Sequence, residues 1–267
     1  METTFTRIPG PRIQQSDSPA LRPIVVFAAV ALPSGWILLG VPVALGLPVA
    51  PFVLATLAFG LVLPAVLLTG RDPDASMRSL LLDCVRVTRR STALLVPALL
   101  VIPGLTWAGA VATDNAPAVD GTTLVDALVN IVSSVLIVNL WEEMAWQGFF
   151  QRRAASRWGF VSGALVTAAM FVGVHLALGF ADADDAGGVG LGLLALIVAG
   201  IGLRLLLGAV DFWSGRSILV VAVMHASFNV ASEFVVADAD WIRYVVTLTL
   251  GMAALVALRA NRRGDAR

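Results

Sequence analysis

Two adjacent carboxylates, Glu142 and Glu143, lie inside an otherwise apolar stretch of the chain. The chain has two histidines, His175 and His225, and each of them lies in a further apolar stretch. A charged side chain at the centre of a membrane helix costs roughly 2.5–3.5 kcal/mol, so ionisable residues retained there are functional by default. Carboxylates and imidazoles at this depth suit acid–base chemistry, proton relay or cation binding.

A third candidate, Asn229, follows His225 by four residues, so the two side chains share one face of a helix. Ser232 and Glu233 continue that face, but Glu233 lies near the end of the apolar stretch, where we expect a solvated carboxylate. A neutral histidine and an asparagine amide can both donate hydrogen bonds to a developing oxyanion. They can equally offer a ring nitrogen and a carbonyl oxygen to a metal ion.

Each of these residues also has a purely structural interpretation. A single histidine within a membrane helix often bonds to a neighbouring helix, and a carboxylate pair can serve helix packing or a cation site. The combination of two histidines, two glutamates and an asparagine favours one shared functional site over five separate packing roles.

Composition places these residues in a membrane protein. Of 267 residues, 58% are hydrophobic and 13% are charged, and the mean hydropathy is +0.87. Soluble domains carry about 45–50% apolar and about 25% charged residues. The formal net charge is zero, which argues against nucleic acid as a partner. The single cysteine, Cys84, excludes an intrachain disulfide and a multi-cysteine metal cluster.

The hydropathy pattern predicts an all-α protein of about eight transmembrane helices around a polar intramembrane cavity. A span needs about 20 mostly apolar residues. The qualifying stretches are 24–46, 49–69, 92–113, 127–151, 160–180, 188–210, 217–236 and 242–259. We expect one membrane domain over 23–260, flanked by a disordered cytoplasmic tail at 1–22 and a cytoplasmic tail at 261–267.

The distribution of charge supports an even number of spans. Arginines cluster in the N-terminal tail, in 71–90, in 152–157, at Arg216 and in the C-terminal tail, whereas the alternate connections carry aspartates. The positive-inside rule then predicts a multi-pass protein of the cell membrane with both termini cytoplasmic. Residues 75–90 are too polar to span and predict an amphipathic helix on the cytoplasmic surface.

The membrane depths predicted for Glu142 and His175 do not agree with each other. Glu142 precedes Arg152 by ten residues, which places it about 15 Å inside the membrane. If the next helix starts at Trp158, His175 lies about 25 Å along it and well beyond Glu142. An interfacial stretch over 153–162 before the true span would remove most of this mismatch.

Three short motifs, WEEMAWQG, FVGVH and HASFN, resemble those of the CAAX protease and bacteriocin-processing family, also called the Abi or type II CAAX prenyl endopeptidase family. The family motifs are Glu-Glu-x-x-x-Arg, Phe-x-x-x-His and His-x-x-x-Asn or Asp. The matching residues here are Glu142, Glu143, Gln147, Phe171, His175, His225 and Asn229. The motifs follow in the family's order on successive membrane segments, and the resemblance covers about 125–235.

One position departs from the family pattern, since Gln147 stands where the family has arginine. Gln147 lies one turn from Glu143, so we expect it to hydrogen-bond that carboxylate without neutralising it. Arg204, inside the sixth apolar stretch, offers a substitute charge. The usual behaviour of such an arginine is to extend its side chain to the cytoplasmic face instead, and we favour that interpretation.

The resemblance implies an intramembrane endopeptidase that hydrolyses membrane-associated or lipidated peptides with an activated water. In that scheme Glu142 is the general base and His175 holds and polarises the water. His225 and Asn229 stabilise the oxyanion, and Glu143 orients the group. A divalent metal such as zinc, held by Glu142, His175 and His225, is a second alternative, although the chain has no His-Glu-x-x-His motif.

Two other classes of function stay open at this stage. The departure at Gln147 allows a catalytically silent scaffold or a bacteriocin-immunity-type protein of the same fold. A proton-coupled carrier would use the glutamates and histidines as a relay, but it would favour inverted repeats that the sequence does not display. The sequence predicts neither the substrate nor the oligomeric state.

Overall fold

The structure, a computed structural model, describes residues 21–73, 75–181 and 185–264, with the backbone alone for 261–264. Within these ranges all regular structure is helical, which confirms the all-α fold class. The remaining parts of the predicted tails, 1–20 and 265–267, lie outside the described residues. The helices are α1 Leu21–Leu45, α2 Ala50–Arg71, α3 Met77–Cys84, α4 Arg89–Ala112, α5 Gly121–Trp158, α6 Phe160–Phe180, α7 Ala186–Trp213, α8 Ile218–Phe234 and α9 Trp241–Gly264.

Seven of the described helices are long and apolar enough to cross a membrane. The stretch predicted as the seventh span, 217–236, forms the shorter apolar helix α8. Together they agree with a multi-pass protein of about eight membrane helices. Helix α1 begins at Leu21, so the last two residues of the predicted N-terminal tail are helical.

Helix α3 corresponds to the predicted amphipathic segment but is shorter than 75–90. It buries Leu80 and Cys84 against Met144 and Ile218, while Leu81 remains exposed. The helix ends at Cys84, and α4 starts after its own cap at Thr88. The Thr88 hydroxyl accepts from a backbone N–H in the first turn of α4, an arrangement that stabilises a new helix start.

A reversal at Gly159 joins α5 to α6. Its backbone has φ 82°, a conformation that glycine adopts without strain. The two helices then approach so closely that a Cβ on Gly163 would lie 2.5 Å from the backbone of Ala155. Glu142 precedes Gly159 by 17 residues and His175 follows it by 16, so the antiparallel helices return both to one depth.

The stretch 153–162, expected to lie at the membrane interface, consists of the end of α5, the reversal at Gly159 and the first residues of α6. Helix α5 continues unbroken to Trp158 instead of ending at 151. The depth mismatch came from placing the end of that helix too early.

Polar contacts define two opposite ends of the helix bundle. At one end, here called the arginine face, Arg152 pairs with Asp83 and Asp211 and donates to the carbonyl of Arg216. The Ser217 hydroxyl donates to the carbonyl of Arg86 at the same end.

The other end, here called the acidic face, carries the connections that contain the described aspartates 114, 120, 185, 238 and 240. There the Val236 N–H donates to the carbonyl of Asn115 at 3.0 Å. Ala110, Val235, Ala239 and Ile242 form a small buried cluster beside that bond.

Helices α7 and α9 pack with their backbones in near contact. A Cβ on Gly202 would lie 2.6 Å from backbone atoms of Leu248, and one on Gly251 would lie 2.5 Å from the carbonyl oxygen of Gly202. Because backbone atoms cannot move aside as a side-chain tip can, these glycines set the distance between α7 and α9.

We expect Gly202→Ala to lower the free energy of unfolding by about 1–3 kcal/mol, since the added methyl forces α7 and α9 apart. Gly104→Ala is the matched control, because a Cβ at exposed Gly104 in α4 meets nothing within 4 Å. Thermal unfolding of the detergent-purified variants measures both changes. An equal loss in the two variants would contradict the close-packing assignment.

Candidate active site

The two glutamates lie on α5 between segments of π-helical geometry, Val135–Asn139 before them and Met144–Gln151 after them. π-helical turns are rare and frequently occur at functional sites, because the extra residue redirects the side chains around it. Both glutamates are buried, with Glu142 7% and Glu143 0% exposed. Adjacent positions on a helix point in different directions, so the two carboxylates have different neighbours.

Glu143 forms a closed network of charge-assisted hydrogen bonds. Arg204 of α7 donates from Nη1 to Oε2 at 2.8 Å and from Nη2 to Oε1 at 2.7 Å. His225 Nδ1 of α8 lies 2.7 Å from the same Oε1. The Arg204 pair has the two-pronged geometry in which guanidinium and carboxylate bind most strongly. Three helices are therefore joined at one buried carboxylate.

The expectation that Arg204 extends to the cytoplasmic face is wrong. Its side chain is 0% exposed, and its guanidinium carbon lies 4.5 Å from the centre of the Phe171 ring. A buried carboxylate needs a compensating charge, and this need outweighs the tendency of a membrane arginine to reach for water.

Gln147 does not contact Glu143, contrary to the sequence-based expectation. Its Nε2 donates to Asp211 Oδ2 at 3.2 Å, beside the pair between Asp211 and Arg152. The expectation assumed α-helical spacing, whereas Gln147 lies in the π-helical segment, whose wider turns aim residue i+4 elsewhere. Arg204 thus supplies to Glu143 the charge that Gln147 lacks.

Glu142 lies near both histidines, His175 and His225. Its Oε1 lies 3.8 Å from His175 Nε2, and its Oε2 lies 3.9 Å from His225 Nδ1. These gaps exceed a direct hydrogen bond, and the first of them has the width that a bridging water spans. Glu142 is therefore the carboxylate with spare capacity to accept a proton.

The hydrogen bonds of the two imidazoles assign their tautomers. His175 Nδ1 lies 2.8 Å from the carbonyl oxygen of Phe171, which can only accept, so Nδ1 carries the proton. By the same logic His225 Nδ1 donates to the ionised Glu143. In the neutral form, both rings then have an unprotonated Nε2.

A cavity of about 740 Å³ leads to these groups. Glu142, His175, His225 and Asn229 all line it, so the structure brings the candidate residues to one wall, with Glu143 behind them. Most of the remaining lining is apolar or glycine, including residues of α6 and α7. Such walls suit an extended peptide with apolar side chains.

The sequence analysis did not identify three polar residues of the cavity, Asp185, Arg243 and Tyr244. Arg243 donates to the carbonyl oxygens of Phe228 and Asn229 and pairs with Asp240 at 2.6 Å. One signal could have revealed it, since Arg243 is the single arginine in the aspartate-bearing connections.

The alternative of a metal held by Glu142, His175 and His225 does not fit the geometry. Among the described residues, no three His, Cys, Asp or Glu side chains converge as a metal site requires. The nitrogen of His225 that lies nearest to Glu142 is Nδ1, which already donates to Glu143. We therefore derive no chemical step through a metal.

Comparison with protein families gives a match over residues 124–231, to the family described as type II CAAX prenyl endopeptidase Rce1-like. The matched range spans less than half of the chain. The match confirms the resemblance that the three motifs indicated. The comparison with curated proteins gives no match.

The range matched by the Rce1-like family contains Glu142, Glu143, His175, His225 and Asn229, and it also contains Arg204. Helices α1 to α4 and α9 lie outside the matched range, yet they complete the structure around it. Phe27 of α1 packs on Trp146 of the matched range, with ring centres 5.5 Å apart.

We expect Arg204→Met to lower the stability of the protein by about 3–5 kcal/mol, because it leaves the Glu143 carboxylate buried without its counter-charge. Gln147→Met should cost only about 1 kcal/mol, since Asp211 keeps its pair with Arg152. Thermal unfolding in detergent measures both. The double variant Glu143→Gln with Arg204→Met should recover part of the loss, and equal losses for the two single variants would argue against the assignment.

Proposed function

We propose that the protein is an intramembrane endopeptidase that hydrolyses peptide bonds of membrane-associated substrates with a water activated by Glu142. The observation that carries the proposal is the position of Glu142 at the inner wall of the cavity, 3.8 Å from His175 Nε2. The Rce1-like match supports a protease of the CAAX type.

The tautomer of His175 suits it to position the attacking water. A water between the two groups would donate one proton to Glu142 and the other to the bare Nε2 of His175. Its oxygen lone pair is then free to attack the scissile carbonyl carbon. Glu142 takes the proton as the water's oxygen forms the new bond to carbon.

The hydrogen bond of His225 determines which protonation state it needs in order to stabilise the oxyanion. A neutral His225 that donates from Nδ1 to Glu143 has no proton on Nε2, so it cannot donate to an oxyanion. We infer that His225 acts as an imidazolium, with Glu143 as its counter-ion, as the buried aspartate of a serine protease stabilises its imidazolium. The imidazolium Nε2–H and the amide of Asn229 would then stabilise the tetrahedral oxyanion together.

Collapse of the tetrahedral intermediate completes the reaction. The carbon–nitrogen bond breaks, and protonated Glu142 returns its proton to the departing amine. The products are a carboxylic acid and an amine, and Glu142 is regenerated in its ionised form. The scheme needs no group besides water and the described side chains.

The site is better supported as active than as silent. The silent alternative followed from the absence of a cationic partner for Glu143, and Arg204 occupies that role at 2.7 and 2.8 Å. A preorganised counter-charge costs no reorganisation during the reaction, which is what catalysis by electrostatics requires.

We expect purified protein in lipid or detergent to cleave members of a membrane-associated peptide library, and we expect Glu142→Gln and His175→Ala each to slow cleavage by about 10²–10⁴-fold. Mass spectrometry of the products measures the rates. Glu233→Gln is the matched control, because Glu233 lies on α8 but bonds to Asn130, outside the cavity. Equal turnover by the wild type, Glu142→Gln and His175→Ala would refute the mechanism.

A chelator with metal add-back tests the metal-free scheme in the same assay. We expect turnover to be unchanged by chelation, since Glu142 and the two histidines do not converge as metal ligands. Loss of turnover on chelation and its return with zinc would show that a metal takes part.

We expect Asn229→Ala to lower the rate at saturating substrate by about 10²–10³-fold, the usual cost of removing one oxyanion donor, with little change in stability. Asn229 is exposed in the cavity wall, so its loss creates no buried void. A fall in substrate affinity alone, at an unchanged maximal rate, would contradict the assignment of Asn229 to the oxyanion.

A further inference from the structure

The cavity has its mouth at the acidic face of the bundle. The lining residues farthest from Glu142 lie at helix ends on that face: Gly179 at the end of α6, Gly188 at the start of α7 and Arg243 at the start of α9. Asp185, which caps the start of α7, also lines the cavity. Three separate helix ends thus surround one opening.

The opposite direction, from Glu143 towards the arginine face, is closed by packed side chains. Trp146, Phe149 and Phe150 are 0–1% exposed, and Phe27 contacts all three with ring centres 5.3–5.5 Å apart. Beyond this aromatic floor, Arg152 is held between Asp83 and Asp211. A peptide that approached Glu143 from the arginine face along α5 would have to displace this layer.

The charge of the two faces orients them in a membrane. The described arginines of the connections between spans lie at the arginine face with one exception, Arg243. Arginine-rich connections remain on the cytoplasmic side during insertion, whereas aspartates have little influence. The arginine face is therefore the cytoplasmic one, and the mouth of the cavity faces away from the cytoplasm.

We propose that the site is entered from the extracytoplasmic side, so that its substrates are peptide segments of exported or membrane-anchored proteins exposed there, and not cytoplasmic chain ends. The cleavage itself rests on the proposed function above. The direction of entry rests on the cavity, the aromatic floor and the arginines, and it can be tested without any turnover.

Single introduced cysteines test the direction of entry. Ala195→Cys places a thiol on the cavity wall, and Ser79→Cys places one on exposed α3 at the arginine face. We expect the native Cys84 not to react with the probe. Its side chain is buried, 4% exposed, and burial raises the pKa of its thiol to about 11. The probe is a membrane-impermeant maleimide added to intact cells.

We expect Ala195→Cys to be labelled in intact cells, and Ser79→Cys to be labelled only after the membrane is permeabilised. The wild type should not be labelled in either case. Failure to label Ala195→Cys in intact cells, or labelling of Ser79→Cys there, would overturn the proposal whether or not the protein cleaves peptides.

Sealed membrane vesicles of defined orientation test the substrate class. With a peptide library that cannot cross the bilayer, cleavage in right-side-out vesicles and its loss in inside-out vesicles is the expected result. Cleavage confined to inside-out vesicles would overturn the direction of entry while leaving the protease intact. Absence of cleavage in both, with Ala195→Cys labelled as expected, would refute the proposed function and the substrate class but not the direction of entry.

Discussion

The buried ion pair between Glu143 and Arg204 is the interaction on which the rest of the site depends. Neither side chain has measurable exposure, so each charge would be costly without the other. The pair fixes α5 to α7, and the remaining bond of Glu143 fixes His225 on α8. A carboxylate that is fully satisfied in this way does not compete for the proton of a catalytic water. We propose its neighbour Glu142 for that role, because Glu142 has fewer partners.

Backbone geometry determines where these charges meet. The reversal at Gly159 sets α5 and α6 antiparallel at nearly equal distances from the turn, which brings Glu142 opposite His175. The π-helical segment after Glu143 turns Gln147 away towards Asp211 and leaves room at Glu143 for Arg204. Gln147, at the position where the family motif has arginine, therefore does not reach Glu143, and the charge comes from a residue 61 positions further along the chain.

Hydropathy and arginine asymmetry were enough to predict the helices, because both depend on composition averaged over about 20 residues. The candidate residues could also be predicted, since polar groups within apolar stretches are few. The partner of Glu143 could not be predicted, because π-helical geometry and the contact between α5 and α7 are set by tertiary packing. For the same reason the sequence analysis did not identify Arg243 as a residue of the cavity.

The aromatic floor packs helices α1 and α5 together and also separates the site from the arginine face. Phe27 from α1 packs on Trp146, Phe149 and Phe150, which follow Glu143 on α5, so a helix outside the Rce1-like range helps to bury the segment behind the site. An apolar layer at this depth excludes water, which strengthens the Arg204 pair and confines proton transfer to the cavity side. Under the proposed direction of entry, the cavity opens towards the acidic face, and the arginines beyond the aromatic floor determine which compartment that face meets.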